Sequence, residues 1–136
     1  MLLSAVALMI AAAIVAFAFH QTHDWNAPPS ARDTPNPVSA NASSIGAGNA
    51  IYQQHCVKCH GETGDGNTRY SKWNTRPADL TDSKRMSKMT DGELFWKISE
   101  GKHPMPAFKD KLNGQERWQV VNHIRTFSMG APRPRR

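Results

Sequence analysis

Residues 55–66 read H-C-V-K-C-H-G-E-T-G-D-G. Cys56 and Cys59 stand three apart, and His60 follows directly. Three chemistries use two thiols at this spacing: a redox dithiol, half of a zinc site, and covalent attachment of haem. The dithiol needs a βαβ setting, and no segment here alternates like a strand over more than a few residues. A tetrahedral zinc site needs two further ligands. Cys56 and Cys59 are the only thiols, and His103 and His123 are not spaced as a zinc-binding pair. Cys-x-x-Cys-His suits haem on physical grounds. Two thiols on one turn of backbone reach the two vinyl groups and form thioethers, and the adjacent imidazole of His60 meets the iron with the chain already in register. A pattern that binds no cofactor stays open beside these readings.

A haem iron held by His60 raises the question of its other face. Met86, Met89, Met105, Met129, His103 and His55 are the candidates. His55 is too near the cysteines to fold over, and Met129 ends the last predicted helix. Met86 and Met89 read as core filler. Met105 lies between Pro104 and Pro106, and prolines on both sides lower the entropy lost in holding a ligand. Met105 is the expected sixth ligand, with His103 or an exchangeable position as alternatives. A thioether opposite histidine favours ferrous iron, raises the potential and closes the iron to substrate. That chemistry points to one-electron relay rather than to an enzyme.

Three helices are expected to position these groups. The first covers roughly Ile45 to His55, with Gly48 and Tyr52 on one face. The second starts at Thr90, where Thr90 and Glu93 fit a capping box, and ends at Gly101. The third starts near Asn113, paired with Glu116, and carries Trp118, Val121, Ile124 and Phe127 or Ser128 at helical steps until about Gly130. A short helix is expected around Asp82–Lys88. The loop at 61–66 is glycine-rich, and 102–111 is a proline-flanked loop. The fold class is all-α.

Leu2 to Phe19 is almost unbroken apolar sequence. Residues 1–19 read as a membrane anchor, or as a secretory signal cleaved after Ala16-Phe17-Ala18. Residues 20–44, with Pro28, Pro29, Pro35 and Pro37, read as a tether without regular structure. Residues 45–130 form the folded domain, and 131–136 a basic tail expected to be disordered. About a third of the domain is apolar, which is thin for its size unless a large cofactor completes the core. The net charge of +6 suits acidic partners or anionic lipid. Nucleic acid is not an expected partner of an exported domain.

Residues 46–129 resemble a class I c-type cytochrome. The resemblance rests on Gly48-x-x-x-Tyr52, Cys56-x-x-Cys59-His60-Gly61, Gly64-x-Gly66, Pro77-Ala-Asp-Leu-Thr81, Met105-Pro-Ala-Phe108, and a closing helix with Trp118 and Ile124. His123 departs from it, since tyrosine or leucine is expected there. The resemblance implies a small all-α fold wrapped round one covalent haem c, bound by Cys56 and Cys59 and ligated by His60 and Met105. The first and last helices would cross at Gly48, Tyr52 and Trp118. The Pro77 carbonyl would accept the N–H of the ligand histidine, the alternative being that Pro77 only turns the chain. The haem domain would lie in the periplasm, exchanging electrons with redox partners, most simply a membrane respiratory complex. Lys58, Lys72, Lys102 and Lys109 are expected to ring the exposed haem edge. Pro-Ala-Asp-Leu-Thr and Gly-Glu-Leu-Phe-Trp are similar to cytochrome c subunits of such complexes, so a fixed subunit is the alternative to a mobile carrier. A small peroxidase with a labile Met105 is a further one.

Overall fold

Asn41 and Ser44 fix where the first long helix begins. The Asn41 side chain accepts from the Ser44 N–H and the Ser44 hydroxyl accepts from the Asn41 N–H, a reciprocal cap that satisfies two orphan donors. In the computed structural model, which describes residues 25–72 and 76–129, the helices are α1 (Pro29–Arg32), α2 (Ala42–His55), α3 (Val57–His60), α4 (Ser83–Met86), α5 (Asp91–Glu100) and α6 (Gly114–Ser128), with a 3-10 turn at Arg69–Lys72. The described residues contain no strand beyond one isolated bridge between Lys102 and Met105. The expected anchor at 1–19 and the basic tail at 131–136 lie outside the described residues. Among the described residues, no helix is long and apolar enough to cross a membrane.

The principal packing joins α2 to α6. A Cβ on Gly48 would fall 2.6 Å from the Gln119 carbonyl carbon and 3.0 Å from His123 Cβ, so only glycine lets the two backbones approach this closely. Tyr52 completes the crossing, its ring 5.1 Å from His123 and 5.3 Å from Phe127. Trp118 is buried in the same core cluster as Tyr52 and stacks on Phe95 of α5, centroids 4.0 Å apart and 18° from parallel.

Helix α6 buries Trp118, Val121 and Ile124, which recur at helical steps, and Val120, Asn122 and His123 as well. It is a central helix, covered on several sides. On one side Arg125 holds the α4–α5 corner, donating to the Met86 and Met89 carbonyls and to Asp91, each at 2.7 Å. On another, Asn122 donates to the Val38 carbonyl at 3.0 Å and accepts from Asn36 at 2.8 Å.

Those last contacts correct the expected tether at 20–44. From Ala27, which is buried, residues of this stretch lie on the domain as a strap. Pro28 and Pro29 do not prevent a regular turn there. Pro29 opens α1, where its missing N–H has no partner to lose and its fixed φ is already helical. The strap docks on α5 through Thr90 Oγ1, which donates to the Arg32 carbonyl at 2.7 Å. Gly92 leaves room for it, since a Cβ there would meet the Thr34 carbonyl oxygen at 2.7 Å. Thr90 caps α5 by accepting from Glu93 N–H. Only that half of the expected capping box forms, because the Glu93 carboxylate pairs with Lys97 at 2.7 Å.

Candidate functional site

The turn after α2 brings Cys56, Cys59 and His60 onto one short helix. Cys56 ends α2 and His60 closes α3, with the His60 N–H bonded to the Cys56 carbonyl at 2.9 Å. Both thiols are free and half-buried. Burial, reinforced by Cys59 nearby, pushes the Cys56 thiol up to about 12. It therefore stays a protonated thiol at neutral pH rather than a reactive thiolate.

The backbone around His60 is held at several points. Tyr52 Oη donates to the Gly61 carbonyl at 2.7 Å, and the Gly66 N–H to the His60 carbonyl at 2.9 Å. Thr68 Oγ1 donates to the Cys59 carbonyl at 3.1 Å. Gly66 has a φ of +66°, and a Cβ there would sit 2.6 Å from the Pro77 carbonyl oxygen. The glycine thus lets the 61–66 loop lie directly on residues 77–80, where Leu80 N–H bonds the Gly64 carbonyl at 2.7 Å.

This packing presents a carbonyl to the His60 ring, and it is that of Ala78, 3.2 Å from Nδ1. Pro77, expected in this role, instead places its own carbonyl against Gly66. Its part is to turn the chain so that the next carbonyl faces the imidazole. A carbonyl can only accept, so the bond requires the proton on Nδ1 and leaves the Nε2 lone pair free. Burial lowers the His60 pKa and the Ala78 bond partly opposes it. A neutral imidazole with a fixed tautomer is the form that ligates a metal. Sequence reasoning missed Ala78 because a backbone acceptor leaves no trace in residue type.

Met105 sits in a tight loop beyond α5. Its N–H and carbonyl both pair with Lys102, at 2.8 and 3.0 Å. Phe108 N–H then returns the chain to the Ile98 carbonyl at 3.1 Å. Met105 is half-buried against the core cluster, as are Cys56, Val57 and Ala78. Met86 is fully buried, as core filler should be. His103 is exposed, and His55 is exposed with its ring against Phe108. The described residues contain no group of three or more His, Cys, Asp or Glu side chains placed to hold a metal ion.

The donor set fits a covalently bound haem. Two unpaired thiols stand one turn apart, the adjoining imidazole offers Nε2, and apolar side chains adjoin both. Cys56 and Cys59 would hold the group and His60 would ligate its iron.

Comparison with known proteins agrees. Residues 43–124 match the family described as cytochrome c oxidase, cbb3-type, subunit III. A solved structure of the KustC0563 c-type cytochrome is similar at 31% identity and a TM-score of 0.53, covering 59% of this chain and 95% of that one. A chain of the Kuenenia stuttgartiensis reducing HAO-like protein complex Kustc0457/Kustc0458 shares the fold, at 24% identity and a TM-score of 0.58. That match covers 67% of this chain but only 46% of the other. No curated protein matches.

Proposed function

The chain belongs to the class I c-type cytochromes, in the family of the cbb3-type oxidase subunit III, and from that premise we propose that it relays single electrons through one haem c. Haem c is implied by the family, and it supplies a reversible one-electron couple at iron. Cys56 and Cys59 would hold it covalently, and His60 and Met105 would ligate its iron. The observation that carries this reading is the Nδ1 bond of His60 to the Ala78 carbonyl. It leaves Nε2 as the free lone pair beside two unpaired thiols.

The residues around the site divide the work. Tyr52 and Gly66 immobilise the carbonyls of Gly61 and His60. Ala78 fixes the ring and raises its basicity as a ligand. The Lys102–Met105 pairing holds the methionine loop closed, which would limit the entropy lost when Met105 ligates the iron. Residues 1–19 anchor the chain in a membrane, with the haem domain on the periplasmic side. The partners are redox proteins of a respiratory complex. A fixed subunit is the second reading, favoured by the oxidase-subunit family, and a stable co-purifying complex would support it.

The test is a reduced-minus-oxidised spectrum with a redox titration on membrane and soluble fractions, for the wild type and Met105→Ala. The wild type should keep its haem under denaturing conditions, show the sulfur-to-iron band when oxidised, and refuse carbon monoxide at neutral pH. Met105→Ala should lose the band, fall in potential and bind carbon monoxide. Wild-type protein that binds carbon monoxide without denaturant would favour the peroxidase reading instead.

A further inference from the structure

A cleft of about 490 Å³ opens between the strap and the α4–α5 corner. Arg32 lines it from the strap, Lys84 and Arg85 from α4, Lys88 from the following turn, and Lys97 from α5. Two carboxylates also line it. Glu93 is neutralised by Lys97 at 2.7 Å, and Asp82 is engaged by the Arg85 backbone N–H at 3.1 Å. Arg32, Lys84, Arg85 and Lys88 are exposed and, among the described residues, have no acidic partner within ion-pair distance. The ordinary fate of surface lysines is to be scattered. Here the fold concentrates four unpaired cations round one concavity, against the paired carboxylate of Glu93 and the single charge of Asp82.

The place of the cleft bears on its occupant. Asn26 lines it, next to Trp25, the first described residue, whose ring lies 5.5 Å from Lys97 Nζ. A free tether from residue 20 to 44 could extend the domain roughly 80 Å from a membrane. The docked strap removes that reach. Only six residue steps separate Phe19 from Trp25, at most about 20 Å of chain. A domain leashed that closely, with its cationic cleft at the point of attachment, brings the cleft to the headgroup region. Anionic headgroups in the facing leaflet would attract clustered Lys and Arg side chains by the same electrostatics that draws polybasic segments to anionic lipid.

We propose that Arg32, Lys84, Arg85 and Lys88 form a seat for the phosphate headgroup of an anionic lipid, which holds the domain against the membrane by its strap face. The inference rests on the anchor reading of residues 1–19.

The full-length holoprotein is reconstituted in nanodiscs of phosphatidylcholine alone or with phosphatidylglycerol, and backbone amide exchange is followed. Retention in both kinds of disc at high salt tests the anchor by itself. If the cleft seats lipid, exchange over residues 29–34 and 82–89 slows several-fold in the anionic discs only. The triple variant Lys84→Gln/Arg85→Gln/Lys88→Gln abolishes the slowing, and the charge-keeping variant Lys84→Arg/Arg85→Lys/Lys88→Arg preserves it. Three lost cations correspond to about a hundredfold weaker attraction to the anionic surface. Equal exchange in both discs overturns the proposal, as does slowing that survives in the Gln variant. Slowing produced by inorganic phosphate in phosphatidylcholine discs, without any response to phosphatidylglycerol, replaces the lipid with a soluble anion and also overturns it. Should the chain fail to enter discs, the anchor falls alone. Anionic vesicles added to the free protein then carry the same comparison, with the same slowing in support and its absence against.

Discussion

Tyr52 has no exposed surface, and its hydroxyl donates to the carbonyl next to the proposed iron ligand. Burial raises its pKa, so the hydroxyl remains a donor throughout the accessible pH range. Tyr52→Phe keeps the ring packing and strands the Gly61 carbonyl. It should cost roughly 1–2 kcal/mol, with Tm falling by roughly 4–8 °C for each kcal/mol. A thermal melt of the holoprotein checks this, and an unchanged Tm would mean the hydroxyl is dispensable. His123 makes the opposite kind of contribution. It is buried against Tyr52 and Phe127, and neither ring nitrogen has a hydrogen-bond partner among the described residues. Burial lowers its pKa, so the folded protein resists a proton that the unfolded chain accepts below about pH 6.5. Where the unfolded state binds more protons, stability falls as pH falls. The contribution is flat above pH 6.5 and turns destabilising from there down toward the lowered folded value. Melts at pH 7.5 and 5.5 should show a fall in Tm that His123→Leu reduces. A fall of equal size in the variant would place the acid sensitivity elsewhere. The sequence marks His123 as a departure from the family pattern, but its lack of partners emerges only once α2 and α6 pack together.

At the scale of elements, the α2–α6 crossing tests propensity against packing. Alanine in a helix is favoured over glycine by about 1 kcal/mol. At Gly48 the added Cβ would meet the Gln119 backbone and His123, and a backbone neighbour cannot rotate away. Overpacking of this kind costs about 1–3 kcal/mol, so Gly48→Ala should lower the urea midpoint with the slope unchanged, despite its better propensity. A raised midpoint would show that α6 can shift. Spacing placed Gly48 and Tyr52 on one helix face, and it was the family resemblance that made the crossing legible. The Asn113–Glu116 cap was legible from residue types alone, and both halves form, at 3.0 and 2.7 Å. The strap was not legible. It docks through carbonyls and amide side chains, Asn36 on Asn122 and Thr90 on Arg32, and such bonds impose no apolar period. Arg125 was hidden likewise. A lone arginine reads as solvated, whereas here it satisfies two carbonyls and Asp91 together. Arg125→Gln should loosen the α4–α5 corner by roughly 2–3 kcal/mol, seen as faster amide exchange over residues 86–91. Unchanged exchange there would assign the corner to apolar packing alone.

For the whole molecule, the covalent motif was legible because thioether chemistry demands a fixed order of three residue types. The Ala78 carbonyl was not, being a product of the 61–66 loop lying on residues 77–80. What the complete surface adds is charge. The chain carries +6 at neutral pH, and its exposed cations differ in availability. Lys58 and Lys102 are exposed, whereas Lys109 is paired with Glu100 at 2.8 Å. An acidic redox partner should be steered by the first two and little affected by the third. Steering acts over a Debye length, about 30 Å at 0.01 M salt but only 8 Å at 0.15 M. The second-order rate of electron transfer to such a partner should therefore fall at least tenfold across that range. Lys58→Gln and Lys102→Gln should lower the low-salt rate and flatten its salt dependence, and the charge-neutral double variant Lys109→Gln/Glu100→Gln should do neither. Stopped-flow reduction at several ionic strengths separates these cases. A rate independent of salt would mean that encounter is not guided by charge. That outcome would favour a fixed subunit, whose partner is already bound when the electron moves.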